Sequence, residues 1–161
     1  MPPETDKPTD AKFRIVFAIY PGMTHLDFTG PHQFLSRLPG SETIVASPAG
    51  GNVEADGLTF GNTVRIADVR SCDLICVPGG INATKVAQDQ SFTAEIRRLG
   101  LSARYITSVC TGSLILGAAG LLIGQQLVRR RLIEAGESVV LVSINPDLSR
   151  TNANYLKIQK L

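Results

Sequence analysis

Apolar residues fall into short, nearly continuous runs closed by proline and glycine, the pattern of strands buried on both faces. Arg14 to Tyr20 is a β-branched and aromatic run ended by Pro21-Gly22, and Thr43 to Ser47 is a second, ended by Pro48-Ala49-Gly50-Gly51. Between them Phe28, Phe34, Leu35 and Leu38 predict a one-faced helix, with Pro31 in its first turn, where a missing N–H is harmless. Val53 to Val64 predicts a small hairpin around Asp56-Gly57. A buried strand from Cys72 to Val77 stops at Pro78-Gly79-Gly80, and Phe92 to Leu101 reads as a helix. The strand Tyr105 to Val109 then runs into a helix of small residues, Thr111 to Gly120. Strands alternating with helices predict an α/β fold with a mainly parallel sheet covered on both faces.

In such a sheet the functional crevice lies beyond the carboxyl ends of the strands. The loop after Tyr20, the Gly79-Gly80 pair and Cys110 all fall there. Cys110 stands at a strand-to-helix turn. There a thiol faces outward near a helix N-terminus, whose partial positive charge favours the thiolate. The arrangement is that of the nucleophile turn of serine hydrolases with sulfur for oxygen, although Ser108 occupies the place of their first glycine. The alternative for Cys110 is a compact buried hydrophobe. Asp27 is the polar group expected in the same crevice, with a plain helix N-cap as its alternative.

Composition narrows the possibilities. A chain of 161 residues with 43% hydrophobic content supports one domain with a real core. A net charge of +2, with Arg129-Arg130-Arg131 the main basic run, argues against a nucleic-acid partner. Three cysteines, Cys72, Cys76 and Cys110, make a disulfide framework improbable and favour a reducing, cytoplasmic setting. Cys72 and Cys76 are ~13 Å apart if on one strand, and no histidine pair stands at ligand spacing, so no metal is expected. His25 and His32 read as surface or loop residues, His25 with some access to the crevice. Residues 1–12 read as a disordered lead-in before one domain over 13–161, and no membrane span is present.

Three ordered motifs resemble the ThiJ/PfpI superfamily, relatives of class I glutamine amidotransferases, and most closely its isocyanide hydratases. They are Tyr20-Pro21-Gly22-Met23-Thr24 with Leu26-Asp27-Phe28-Thr29-Gly30-Pro31, then Asp73 to Gly80, and Ser108-Val109-Cys110-Thr111-Gly112-Ser113 with Gly117 to Leu122. The resemblance implies a flavodoxin-like three-layer sandwich, a homodimer, a small-molecule substrate and no cofactor. It implies hydration of an isocyanide to an N-substituted formamide, with Cys110 as nucleophile, Asp27 as general acid and base, and Thr111 assisting. Gly79, Gly80 and Gly112 would line the substrate, the first two offering amides to developing negative charge. Thr111 directly after Cys110 excludes the adjacent Cys-His pair of the protease-like and chaperone-like relatives.

After about residue 124 the chain departs from the family. Leu127 to Gly136 reads as a helix, Ser138 to Ile144 as a strand, and Asn145 begins a polar tail. The expectation is a sheet short of the family's last strands and helix. That leaves a ligand-sensing or redox-responsive domain, or a truncated pseudoenzyme, as alternatives to the hydratase.

Overall fold

The computed structural model of the protein describes residues 12–122 and the backbone of residues 141–144. The first apolar run forms β1 (Phe13–Ala18), and α1 (His25–Leu35) leads to β2 (Ser41–Ser47), paired parallel to β1. The hairpin comprises β3 (Gly51–Ala55) and β4 (Leu58–Arg65), joined by Asp56 and Gly57, both at positive φ as a tight hairpin turn requires. After a 3₁₀ turn (Ile66–Asp68) come β5 (Leu74–Val77), α2 (Ala83–Ala87), α3 (Gln90–Ser102), β6 (Tyr105–Ser108) and α4 (Gly112–Ala118). The strand β7 (Leu141–Ile144) pairs antiparallel with β6.

The sheet order is β3-β4-β2-β1-β5-β6-β7, with β4, β2, β1, β5 and β6 parallel. From β1 the chain winds outward first to β2 and later, from β5, in the opposite direction to β6. Right-handed crossovers in opposite directions put α1 on one face and α3 on the other, which yields the three-layer, flavodoxin-like α/β sandwich. The carboxyl ends of β1 and β5 therefore flank a switch point, where side chains from both faces can meet. Beneath it Ile15 to Tyr20 and Ile75 to Val77 form the almost wholly buried centre of the core.

The first helix corrects the sequence reading. Only Phe28 of the expected apolar face is buried; Leu35 is partly so, while Phe34 and Leu38 are exposed. At 100° per residue Phe34 lies ~120° around the helix from Phe28. The inward positions are Phe28, His32 and Leu35. His32 is thus no loop residue: its ring lies 5.2 Å from those of both Phe17 and Phe28. Pro31 sits well inside the helix, beyond its first turn, and with no N–H it leaves the Asp27 carbonyl without the usual i+4 donor.

Other differences are smaller. The short helix α2 was not anticipated, and Cys72 precedes β5 rather than lying in it. The expected lead-in before Lys12, the helix over Leu127 to Gly136 and the polar tail lie outside the described residues.

Candidate functional site

Three loops at the carboxyl edge are tied together by backbone hydrogen bonds. Thr24 N–H, from the loop after β1, donates to the Gly79 carbonyl after β5 at 2.9 Å, and Gly22 N–H donates to the Glu54 carbonyl of β3 at 2.9 Å. Val109 N–H donates to the Val77 carbonyl at 3.0 Å, joining the turn after β6 to the end of β5.

Cys110 occupies the turn between β6 and α4 with φ of 50°, a left-handed conformation that costs a non-glycine residue about 1–3 kcal/mol. The surrounding packing holds it there. Gly112 is pressed against the Val77 carbonyl so closely that a Cβ has no room, and Ser113 Oγ donates to the Cys110 carbonyl at 3.1 Å. The thiol is exposed, unlike those of Cys72 and Cys76. Burial pushes Cys72 up to about 12, and burial, reinforced by Asp27, pushes Cys76 up to about 11. Those two cysteines are core residues, and the compact-hydrophobe reading fits them, not Cys110.

Asp27 lies in the first turn of α1 but does not cap it. The N-cap residue is Thr24, without a side-chain bond, and the His25 N–H is instead met by Asp56 Oδ2 from the hairpin turn at 2.8 Å. Asp56 also contacts His25 Nδ1 at 3.1 Å. The His25 N–H, and then its ring, hold the Asp56 carboxyl below its ordinary value. His25 is thereby engaged by the hairpin turn. Asp27 Oδ2 accepts the Gly79 N–H at 3.1 Å. Desolvation raises the Asp27 carboxyl above its ordinary 3.8; the Gly79 bond opposes this, and the Asp56 charge adds to it.

Both amides expected to face a substrate already hold protein acceptors. Gly79 N–H points to Asp27, and Gly80 N–H donates to Thr111 Oγ1 at 3.0 Å. The Thr111 hydroxyl in turn donates to the Gly80 carbonyl at 3.2 Å. A Cβ on Gly79 would stand 2.7 Å from Thr111 N and 2.8 Å from Asp27 Oδ2, so only glycine lets these two groups approach. Gly80, at φ of 153°, faces Met23 Cα at 2.6 Å from its would-be Cβ. The glycines thus clamp Asp27 and Thr111 beside the cysteine turn.

Sequence reasoning passed over two participants. Tyr20 is completely buried, donates to the Pro78 carbonyl at 3.0 Å, and has its phenol pushed up by burial and then by the Asp27 and Cys110 charges. Its position at the carboxyl end of β1 was the available signal. Asp56 carries only a turn signal in the sequence, whereas in the structure it also meets the start of α1. Among the described residues no three acidic, histidine or cysteine side chains gather at metal-binding distance. No helix among them is long and apolar enough to cross a membrane.

A flavodoxin-like α/β fold with a left-handed cysteine at the turn between β6 and α4, and a carboxyl group held by the loop after β5, marks the protein as an α/β protein with a cysteine at a strand-to-helix turn. The chain belongs to the DJ-1/PfpI family, which it matches over residues 13–149. This bears out the resemblance read from its motifs. It is 40% identical over 114 residues to the isonitrile hydratase of Pseudomonas putida, across 70% of this chain and 50% of that protein. A crystal structure of a ThiJ/PfpI family protein from Pseudomonas syringae is similar with a TM-score of 0.66 at 37% identity, over 69% of this chain and 47% of that one. Oxidized DJ-1 from Toxoplasma gondii shares the fold at 22% identity and a TM-score of 0.61, over 70% of this chain and 64% of that one. The chain spans about half the length of the two Pseudomonas proteins.

Proposed function

We propose that the site hydrates an isocyanide to an N-substituted formamide, with Cys110 as nucleophile and Asp27 as proton carrier. The observation that carries this reading is the exposed, strained Cys110 on a loop system that also holds a carboxyl group of raised proton affinity. Identity to the P. putida isonitrile hydratase supports the substrate class.

The Cys110 thiolate attacks the terminal carbon of the isocyanide, an S–C bond forms, and protonated Asp27 delivers its proton to that carbon. The product is a covalent thioimidate, with Asp27 ionised. Water then adds to the C=N carbon while Asp27 passes a proton from the water to the nitrogen. Loss of the remaining hydroxyl proton to Asp27 makes the carbonyl, breaks the C–S bond and returns the thiolate with protonated Asp27. A carboxyl group that is partly desolvated suits this shuttle, because its proton affinity moves toward the operating pH. Thr111 and Gly80, bonded in both directions, keep the cysteine turn and the β5 loop in register. The Gly79 amide serves to hold Asp27, and Gly112 gives the turn its close approach to β5.

A second copy of the chain is the partner proposed for the outer side of α1, where Leu26 is 64% and Phe34 77% exposed. Between them on that side, nothing lies within 4 Å of a Cβ built on Gly30. Isolated exposed apolar residues are common, but three positions four apart on one helix face form a strip that association would cover.

The decisive experiment treats the purified chain with an alkyl isocyanide, following formamide by NMR and Cys110 adducts by intact mass. Wild type should release formamide, Cys110→Ala should form neither adduct nor product, and Asp27→Asn should lose about 10²–10⁴ in turnover. Equal formamide from Cys110→Ala, or none from wild type, rejects the reading. An oxidised Cys110 without formamide would favour the redox-responsive alternative.

A further inference from the structure

The Tyr20 hydroxyl and the Asp27 carboxylate meet opposite ends of one peptide group. Tyr20 O–H donates to the Pro78 carbonyl at 3.0 Å, and the N–H across the same bond, that of Gly79, donates to Asp27 Oδ2 at 3.1 Å. The peptide is trans, so its C=O and N–H are coplanar and point in opposite directions. Rotation of that plane would break both bonds together.

We propose that Tyr20 is a positioning residue for Asp27, acting through the Pro78–Gly79 peptide. Its hydroxyl fixes the tilt of the plane and polarises the amide, which makes the Gly79 N–H a stronger donor to the carboxylate. A phenylalanine would fill the same buried space, and the Tyr20 ring packs edge-on against Phe92 at 6.4 Å between centroids. The hydroxyl is therefore what distinguishes tyrosine here. Burial keeps the phenol protonated, hence a donor throughout the working pH range. The other titratable groups that act on Asp27 or on Tyr20 are Asp56 from the hairpin turn, Cys76 from β5 and Cys110 from the turn after β6. A Tyr20→Phe substitution alters none of them.

The functional consequence rests on the reading of Asp27 as proton carrier, but the structural claim is tested without substrate. The Asp27 carboxyl of the intact chain is titrated by ¹³C NMR, its resonance assigned by its loss in Asp27→Asn, and the Gly79 amide proton is followed in parallel. In Tyr20→Phe the Asp27 midpoint should rise by roughly half a unit, because the bond favouring the carboxylate weakens, and the Gly79 proton should move upfield. With 3-fluorotyrosine at position 20, a stronger donor of nearly the same shape, both should move the other way. This second variant decides the matter if Tyr20→Phe does not fold. An unchanged midpoint and amide shift in a folded variant would overturn the proposal. Shifts of the expected sign in a chain that makes no formamide would uphold it while rejecting the hydratase.

Discussion

Asp27 and Cys110 are held by backbone rather than by each other's side chains. Asp27 depends on one glycine amide, and Cys110 on a turn whose neighbours Gly112 and Ser113 leave it no relaxed alternative. The burial that raises the Asp27 carboxyl also carries a stability cost. A carboxyl with a raised folded value takes up its proton more readily folded than unfolded. Its contribution is complete below the unfolded value and is lost as pH rises through the folded one. Asp27→Asn should therefore melt higher than wild type at neutral pH, by a small margin that closes toward pH 3.8, as checked by thermal scans across pH. A lower melting point at neutral pH would mean that the Gly79 bond outweighs desolvation. Cys110 and Asp27 are both legible as residues, the first from the junction of an apolar strand with a small-residue helix, the second from the polar loop after Tyr20. Their partners are not: the hydrogen bonds from Tyr20 to Pro78 and from Gly79 to Asp27 join positions more than fifty residues apart.

At the scale of elements, local chemistry explains where reading succeeded and failed. The hairpin was legible because Asp56-Gly57 is a short-range turn signal. The start of α3 is equally local: Asp89 Oδ1 accepts from Ser91 N–H at 3.0 Å and from Phe92 N–H at 3.2 Å, an N-cap. Asp89→Ala should cost about 1 kcal/mol, seen as a lower urea midpoint with an unchanged slope. The far end of the region before β5 depends on a distant residue. Arg98 of α3 donates to the carbonyls of Ile66, Val69 and Arg70, tying the 3₁₀ turn to the helix. In α1 the spacing of apolar residues points to the wrong face, because the helix begins at His25, which puts Pro31 beyond the first turn and turns Phe34 away from Phe28. The helix is instead defined by its contact with Phe17 and by Asp56, which meets its first N–H from another element.

For the whole molecule, the strip on α1 is one apolar surface that the sheet and its helices leave exposed, along with single residues such as Ile81 and Leu58. If a second copy covers it, Phe34→Ser should shift sedimentation from dimer toward monomer while leaving the monomer's circular dichroism unchanged. A wild-type chain that sediments as a monomer at all concentrations would remove the homodimer. The sequence by itself determined the α/β class, the order of the strands and of the helices other than α2, and the cysteine turn. These follow from apolar run length, glycine and proline punctuation, and residue identity, all of which act over a few neighbours. Its motifs also sufficed to indicate the DJ-1/PfpI family. Only the tertiary structure decided which side of α1 faces the core, that Asp27 binds the Gly79 amide, that Thr111 locks onto Gly80, and that Tyr20 stands behind them. Those relations arise where β1 and β5 part at the switch point, and loops distant in sequence meet there because the sheet, not the local chain, sets their spacing.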